Sequence, residues 1–314
     1  MWSVYELTLN PGEKKQTVFH PYGMEYDIPA TLICGKEEGM TMLVTAQIHS
    51  GEYNGSAAVM RLAESIDPEK LKGNLILMHC VNTSGFWSRK HRFVPEDRSN
   101  LNSNFPGSKL GTVGNKLAAW FVEEIFPKTD FIADLHGGKD HDLLEPCVFY
   151  PRAEKVNQVS LEAAKCLNTK YLLASSNSVG LYGYAANKMD IPGMILERGY
   201  GCVLKEEWIQ GHMDSVLLLM EHFGMLQLEK EIEKPEQVDY KHSEYTVVDT
   251  RGVWQPMVQP NQKMKKGDLM ANVCDFFGNI KKSYYAVADG TVIYLNHGLL
   301  VEDGDEAIAY GLDE

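Results

Sequence analysis

Paired cysteines, long apolar runs and concentrated basic charge are all missing from this 314-residue chain. Cys34, Cys80, Cys147, Cys166, Cys202 and Cys274 stand singly, with no Cys-x-x-Cys pair and no dense spacing. The expectation is therefore reduced, mostly buried thiols in a reducing compartment rather than a disulfide framework. No apolar run approaches the ~20 residues that a membrane helix needs. Met1-Trp2-Ser3-Val4-Tyr5-Glu6 also lacks a basic segment leading into an apolar one, so a soluble, cytoplasmic protein without a membrane partner is expected. With a formal net charge of -13 and no patch of Lys and Arg, nucleic acid is excluded as a partner. Neither an internal repeat nor a low-complexity tract is present.

What is present is an ordinary globular composition, 44% apolar, in a chain long enough for one large domain and a small one. Short apolar runs alternate with helical patterns from Thr41 to Leu226. Candidate strands are 41–48, 74–81, 131–135, 171–174 and 194–196; candidate helices are 56–65, 113–126, 153–167 and 205–223. In the last helix Trp208, Ile209, Val216, Leu219, Met220 and Phe223 recur at three- and four-residue steps, and Gly224 follows as a C-cap. This alternation predicts an α/β fold, a mixed, mainly parallel sheet sandwiched by helices, over residues 1–228. A charged, proline-interrupted stretch, 229–239, reads as a linker. Residues 240–314 then carry short strands separated by Gly, Asp and Asn turns, which predicts a small all-β, barrel-like module. The first forty residues contain β-like runs that can add a hairpin.

The chemistry concentrates at strand ends. His49-Ser50-Gly51-Glu52 follows the apolar run Met42 to Ile48, and His136 ends the run Phe131 to Leu135. Two imidazoles and one carboxylate at His49, Glu52 and His136 leave a fourth position on Zn²⁺ for water, the mark of a catalytic rather than a structural zinc site. Glu197 ends a third apolar run and is the candidate general base and acid. A His-x-x-Glu pair alone occurs by chance; its combination with His136 and Glu197 at later strand ends carries the argument. Asn82 falls at a strand end of the same kind. Between 89 and 107 a long polar segment collects Arg89, Arg92 and Arg98, and guanidinium grips carboxylates or developing oxyanions. Arg92 is the first choice for that work. Tyr182 and Tyr184 either line a substrate pocket or pack beneath a loop. His79, His91, His141 and His212 have no partner at metal-ligand spacing.

His-x-x-Glu after a strand, Asn100-Leu101-Asn102 with Phe105-Pro106-Gly107, His136-Gly137 and Glu197-x-Gly199 together resemble the succinylglutamate desuccinylase/aspartoacylase group of zinc carboxypeptidase-like proteins. The resemblance spans about residues 30 to 312 and includes the C-terminal turns at Gly252-Val253-Trp254, Lys266-Gly267-Asp268 and Asp289-Gly290-Thr291. It implies one zinc ion held by His49, Glu52 and His136, catalysis by Glu197, carbonyl polarisation by Arg92, and a hold on the substrate carboxylate by Asn102. Where that family carries Asp-Leu-Asn-Arg, this chain has Asn100-Leu101-Asn102-Ser103. The substrate-gripping arginine is absent there, and an amide replaces an aspartate behind a metal-binding imidazole, which lowers that ring's basicity. Arg98 or Arg198 is the candidate replacement cation.

The resemblance implies a zinc-dependent deacylase acting on a small N-acyl amino acid, with self-association into a homo-oligomer as a further expectation. A metallocarboxypeptidase of short peptides is the alternative enzyme, against which Ser103 counts. A non-catalytic small-ligand-binding protein is the alternative of another class.

Overall fold

The computed structural model describes residues 1–90, 92–138 and 140–313. Of the sequence expectations, His91 and the terminal Glu314 of the 240–314 module lie outside the described residues. One large sheet dominates. From edge to edge its strands are Val238–Tyr240, Tyr171–Ser175, Cys147–Pro151, Gly193–Glu197, Phe131–His136, Glu37–Ala46, Lys72–Met78, Ile28–Cys34 and Glu13–Phe19. The four from Gly193–Glu197 to Lys72–Met78 run parallel to one another, so their carboxyl ends share one rim. Cys147–Pro151 and Ile28–Cys34 flank them antiparallel, making the sheet mixed but mainly parallel, as the alternation predicts.

Side chains alternate between two cores, as strand geometry requires. Met42, Val44, Phe131 and Ala133 pack on one face with Val59, Leu62, Val216 and Leu219 from the helices Tyr53–Ser65 and Glu206–His222. Leu43, Ile76, Ile132 and Ile195 pack on the other with Trp120, Phe121, Leu181 and Ala185. Both faces are covered, which is why the central strands read as continuous apolar runs. Val94, Leu101 and Phe105 from the long polar segment are also buried in this second core. That segment is a strap stitched across the sheet, with its charged residues left at the rim.

The expected helix over 113–126 is shorter. Its α-helical part is Val113–Trp120, then it widens into a π-helical turn, Phe121–Ile125, and closes in a short 3₁₀ turn, Phe126–Lys128. Pro127 cannot donate to the preceding turn and ends the regular ladder. Elements not anticipated include the strands Asp142–Leu144 and Cys147–Pro151 and the helices Thr83–Ser88 and Leu181–Lys188. The early β runs do add pairs: Trp2–Val4 with Leu7–Leu9 is a separate hairpin, and Glu13–Phe19 extends the large sheet.

From Ser243 onward the strands form two antiparallel sheets that enclose a core of Trp254, Met270, Val273, Val292 and Ile308. They are sewn to the body in two places. Val238–Tyr240, which spans the end of the expected linker and the first residue of the expected module, is instead the edge strand of the large sheet, because it pairs in parallel with Tyr171–Leu173. Asp142–Leu144 of the body pairs with Gly290–Asn296 of the module. No disulfide joins the six cysteines among the described residues. No helix among the described residues is long and apolar enough to cross a membrane.

Candidate active site

The site lies on the rim where the parallel strands end. After Ala46 the chain leaves the sheet through Gln47, a buried residue with a left-handed backbone (φ 55°), an unusual conformation for a residue other than glycine. Cys80 donates to the Gln47 amide oxygen and Asn82 N–H to its backbone carbonyl. This turn tips His49 over the strand ends, and the backbone bond from Glu52 N–H to His49 O closes the loop that faces both side chains inward. Asn82 caps the Thr83–Ser88 helix and its amide donates to Phe93 O, pinning the polar strap beside the rim.

Around Glu52 the geometry converges. Its carboxylate lies 2.9 Å from His49 Nδ1 and 3.0 Å from His136 Nδ1. One donor atom from each of the three residues lies within 4.8 Å of the others. The far nitrogens have their own partners: His49 Nε2 is 3.1 Å from Asn100 Oδ1, and His136 Nε2 is 3.1 Å from Asp134 Oδ2. Acceptors at both Nε2 atoms favour protons there and leave the Nδ1 lone pairs for an ion. Glu52 Oε2 is fully buried and faces His136 Nδ1. Two imidazole lone pairs and a carboxylate aimed at one point suit a divalent cation of the zinc kind, and these residues fit it.

Electrostatics favour positive charge at that point. Burial opposes ionisation of Glu52, but the two imidazoles outweigh it and hold its carboxyl down at about 2. Burial likewise opposes a charged His136, and Asp134 with Glu52 raises its pKa well above the usual histidine range. Asp134 is completely buried and receives a 2.7 Å bond from Thr45 Oγ. Sequence reasoning missed it. Its signal was present as the single carboxylate inside an apolar strand, two residues before His136 and so on the same face.

Glu197 stands in register beside His136 on the neighbouring parallel strand. Burial pushes its carboxyl up to about 8; Glu52, Asp134 and Asp142 add to the rise and His136 opposes it. A carboxyl that titrates near neutrality beside a cation site is equipped to take a proton from water and return it.

In front of these groups opens a cleft of about 1170 Å³, lined by His49 and Glu52 and by Arg89, Arg92 and Arg98. His141, Asp142, Tyr294 and Glu306 complete the far wall. His141, expected to be an uninvolved histidine, therefore faces the cleft, and the C-terminal module supplies part of the rim. Asn100 sits behind His49 rather than on the cleft wall. Asn102 is also drawn away, because its Oδ1 accepts from Leu181 N–H at the start of the Leu181–Lys188 helix. Tyr182 is buried in the core, Tyr184 packs against it, and neither lines the cleft. Arg198 points away from the cleft, bonded to Asn168 and Thr169 and packed on Gly211. Arg98 is thus the member of the candidate pair that lines the cleft.

A mixed sheet with its site at the carboxyl rim and two histidines and a glutamate around one cation-sized point defines the zinc carboxypeptidase-like class of α/β protein. The sequence profile of the succinylglutamate desuccinylase/aspartoacylase catalytic domain matches residues 38–223, and the chain belongs to that family. The N-alpha-acetyl-L-2,4-diaminobutyric acid deacetylase of Halomonas elongata is 26% identical over 292 residues, 88% of this chain and 83% of that protein. A product-bound structure of the ectoine utilization protein EutE (DoeB) from Ruegeria pomeroyi is 26% identical with a TM-score of 0.83, covering 92% of this chain and 89% of that one. A succinylglutamate desuccinylase/aspartoacylase structure from Rhodobacter sphaeroides, 20% identical, has a TM-score of 0.83 over 99% of this chain and 100% of its own, a likeness of fold. The Halomonas protein is a deacetylase by name, and the family is named for a desuccinylase and an acylase, so its chemistry is hydrolysis of amide bonds.

Proposed function

We propose that this protein is a zinc-dependent deacylase that hydrolyses the amide bond of a small N-acyl amino acid. The observation that carries the reading is the convergence of His49, Glu52 and His136 on one point, with Glu197 beside His136. The three residues would hold a single Zn²⁺, which when bound supplies Lewis acidity toward water and the amide carbonyl. Glu197 accepts the proton of the attacking water and later delivers it to the leaving amine. Arg92 meets the negative charge that develops on the carbonyl oxygen, and Arg89 and Arg98 hold the amino-acid carboxylate. Names and activities of the relatives support this substrate class. In the same reading residues 1–228 form the hydrolase body and 240–314 a module that narrows its entrance.

A cleft of about 1170 Å³ is roomy for one amino acid, which favours carboxypeptidase action on short peptides as a second reading. One experiment separates them. Protein loaded with zinc is incubated with N-acyl amino acids and with dipeptides that have free amino termini. Turnover of the first set alone is expected, and Glu197→Gln is expected to reduce it by roughly 10²–10⁴-fold with zinc stoichiometry retained. Equal turnover by the Gln variant discards the mechanism; release of amino acids from the dipeptides alone discards the substrate class.

A further inference from the structure

Behind Glu197, on the side away from the arginines, lies a second cavity of about 190 Å³. Its walls come from two sheets. Phe149 and Leu173 rise from the large sheet, and Tyr245, Ile293, Ala309 and Tyr310 descend from the C-terminal module. Leu173, Ile293 and Tyr310 are almost wholly buried. Tyr310, whose ring packs in the module's core and whose hydroxyl accepts from Val287 N–H, closes the cavity on the module side. Tyr294 and Glu306 line both this cavity and the main cleft, so the two adjoin. Glu197 lines only the inner cavity, His49 and Glu52 only the cleft, so a bond attacked between them has one half on each side.

The two halves of an N-acyl amino acid sort themselves chemically. The amino-acid half carries a carboxylate and belongs with Arg89 and Arg98. The acyl half is left with the second cavity, whose wall is mostly apolar and carries Glu197, Ser243 and Glu306 as its polar residues besides the tyrosines. We infer, on the basis of the deacylase reading, that the cavity behind Glu197 is the acyl subsite and that it selects an apolar acyl group larger than acetyl, a chain of about four to six carbons or an aryl ring. The size argument is direct: an apolar cavity of ~150 Å³ holds benzene, and one water occupies ~30 Å³. An acetyl methyl would leave most of the space unfilled. Hydrolysis itself is unchanged. Water's oxygen bonds to the acyl carbon, the C–N bond breaks with its electron pair on nitrogen, and both water protons finish on the amine.

The test uses the full-length, zinc-loaded protein. N-acetyl and N-benzoyl derivatives of the common amino acids identify the amine, and an acetyl, butanoyl, hexanoyl and benzoyl series on that amine follows. The kcat/KM is expected to rise about 3- to 4-fold for each methylene that enters the cavity, giving at least a tenfold preference for hexanoyl or benzoyl over acetyl. Ala309→Phe, which fills the cavity, is expected to shift the hexanoyl-to-acetyl ratio at least tenfold toward acetyl. Ile293→Ala, which enlarges it, should move the optimum to a longer chain, and thermal unfolding checks that both variants fold. A wild-type preference for acetyl, or the same ratio in folded Ala309→Phe, overturns the subsite. Absence of turnover with every N-acyl amino acid overturns the deacylase reading and this inference together.

Discussion

His49 and His136 offer the same nitrogen to the same carboxylate, yet they are not equivalent. An anion, Asp134, stands behind His136, whereas the neutral amide of Asn100 stands behind His49. The stronger acceptor polarises its ring more, so His136 is the more basic donor. Across the strand pair, Glu197 is the residue whose charge the fold resists. Its carboxyl titrates near 4.3 in an unfolded chain and at about 8 in the folded one, where burial is the leading cause. Between those values the folded state binds the extra proton, so this group's contribution makes stability fall as pH rises through the window. Glu197→Gln removes that penalty. In chelator-treated protein the variant is expected to unfold at the same temperature as wild type near pH 4, and roughly 2–5 °C higher at pH 9. Parallel calorimetric profiles across that range would refute the assignment. Among single residues, His49, His136 and Glu197 were legible because each stands at the end of an apolar run, and Glu52 because it follows His49 at the His-x-x-Glu spacing. Asn100 and Asn102 were not, since the strap's path across the core decides which way each amide turns.

The elements hold the three donors in place by close backbone approach. The Tyr53–Ser65 helix starts at the residue after Glu52 and crosses the Phe131–His136 strand at Gly55. A Cβ there would sit 2.9 Å from Leu135 Cβ and 3.6 Å from Ala46 Cβ. Hydrogen in place of a side chain lets the helix lie against the strands that carry His49 and His136. Gly55→Val is expected to push it away, costing about 1–3 kcal/mol through overpacking. Because Glu52 moves with the helix, zinc affinity measured by chelator competition should fall about tenfold. Wild-type affinity in a folded variant would separate the helix contact from the site. Strand and helix periods made most of these elements readable, with ends displaced by a few residues. The antiparallel strand Cys147–Pro151 was not readable, because five residues ending in proline carry too little pattern to tell strand from turn. The Leu181–Lys188 helix was hidden by its two glycine neighbours in Gly180-Leu181-Tyr182-Gly183, and its amino end is fixed by Asn102, 79 residues away.

At the scale of the whole molecule, the all-β module is joined to the body without a clean seam. Val238–Tyr240 completes the large sheet, and Tyr240 stacks on Tyr171 and donates to Thr291 Oγ. In the other direction Asp142–Leu144 joins the module's sheet, and the Tyr294 hydroxyl lies 2.9 Å from Asp142 Oδ1. Leu144, Cys147, Tyr171, Leu173, Tyr240 and Ile293 form one buried cluster drawn from both parts. Cutting the chain after residue 228 would expose the apolar body side of that cluster and leave the Tyr171–Ser175 strand as an open edge, a template for aggregation. The 1–228 fragment is therefore expected to be insoluble or to lose its near-ultraviolet circular dichroism. The intact chain should unfold in a single calorimetric transition, because neither part buries its share of the cluster alone. Two resolved transitions in the intact chain, together with a soluble, natively packed 1–228 fragment, would mean that the module is an independent appendage. In that case Tyr294 and Glu306 would be visitors to the cleft rather than fixed walls.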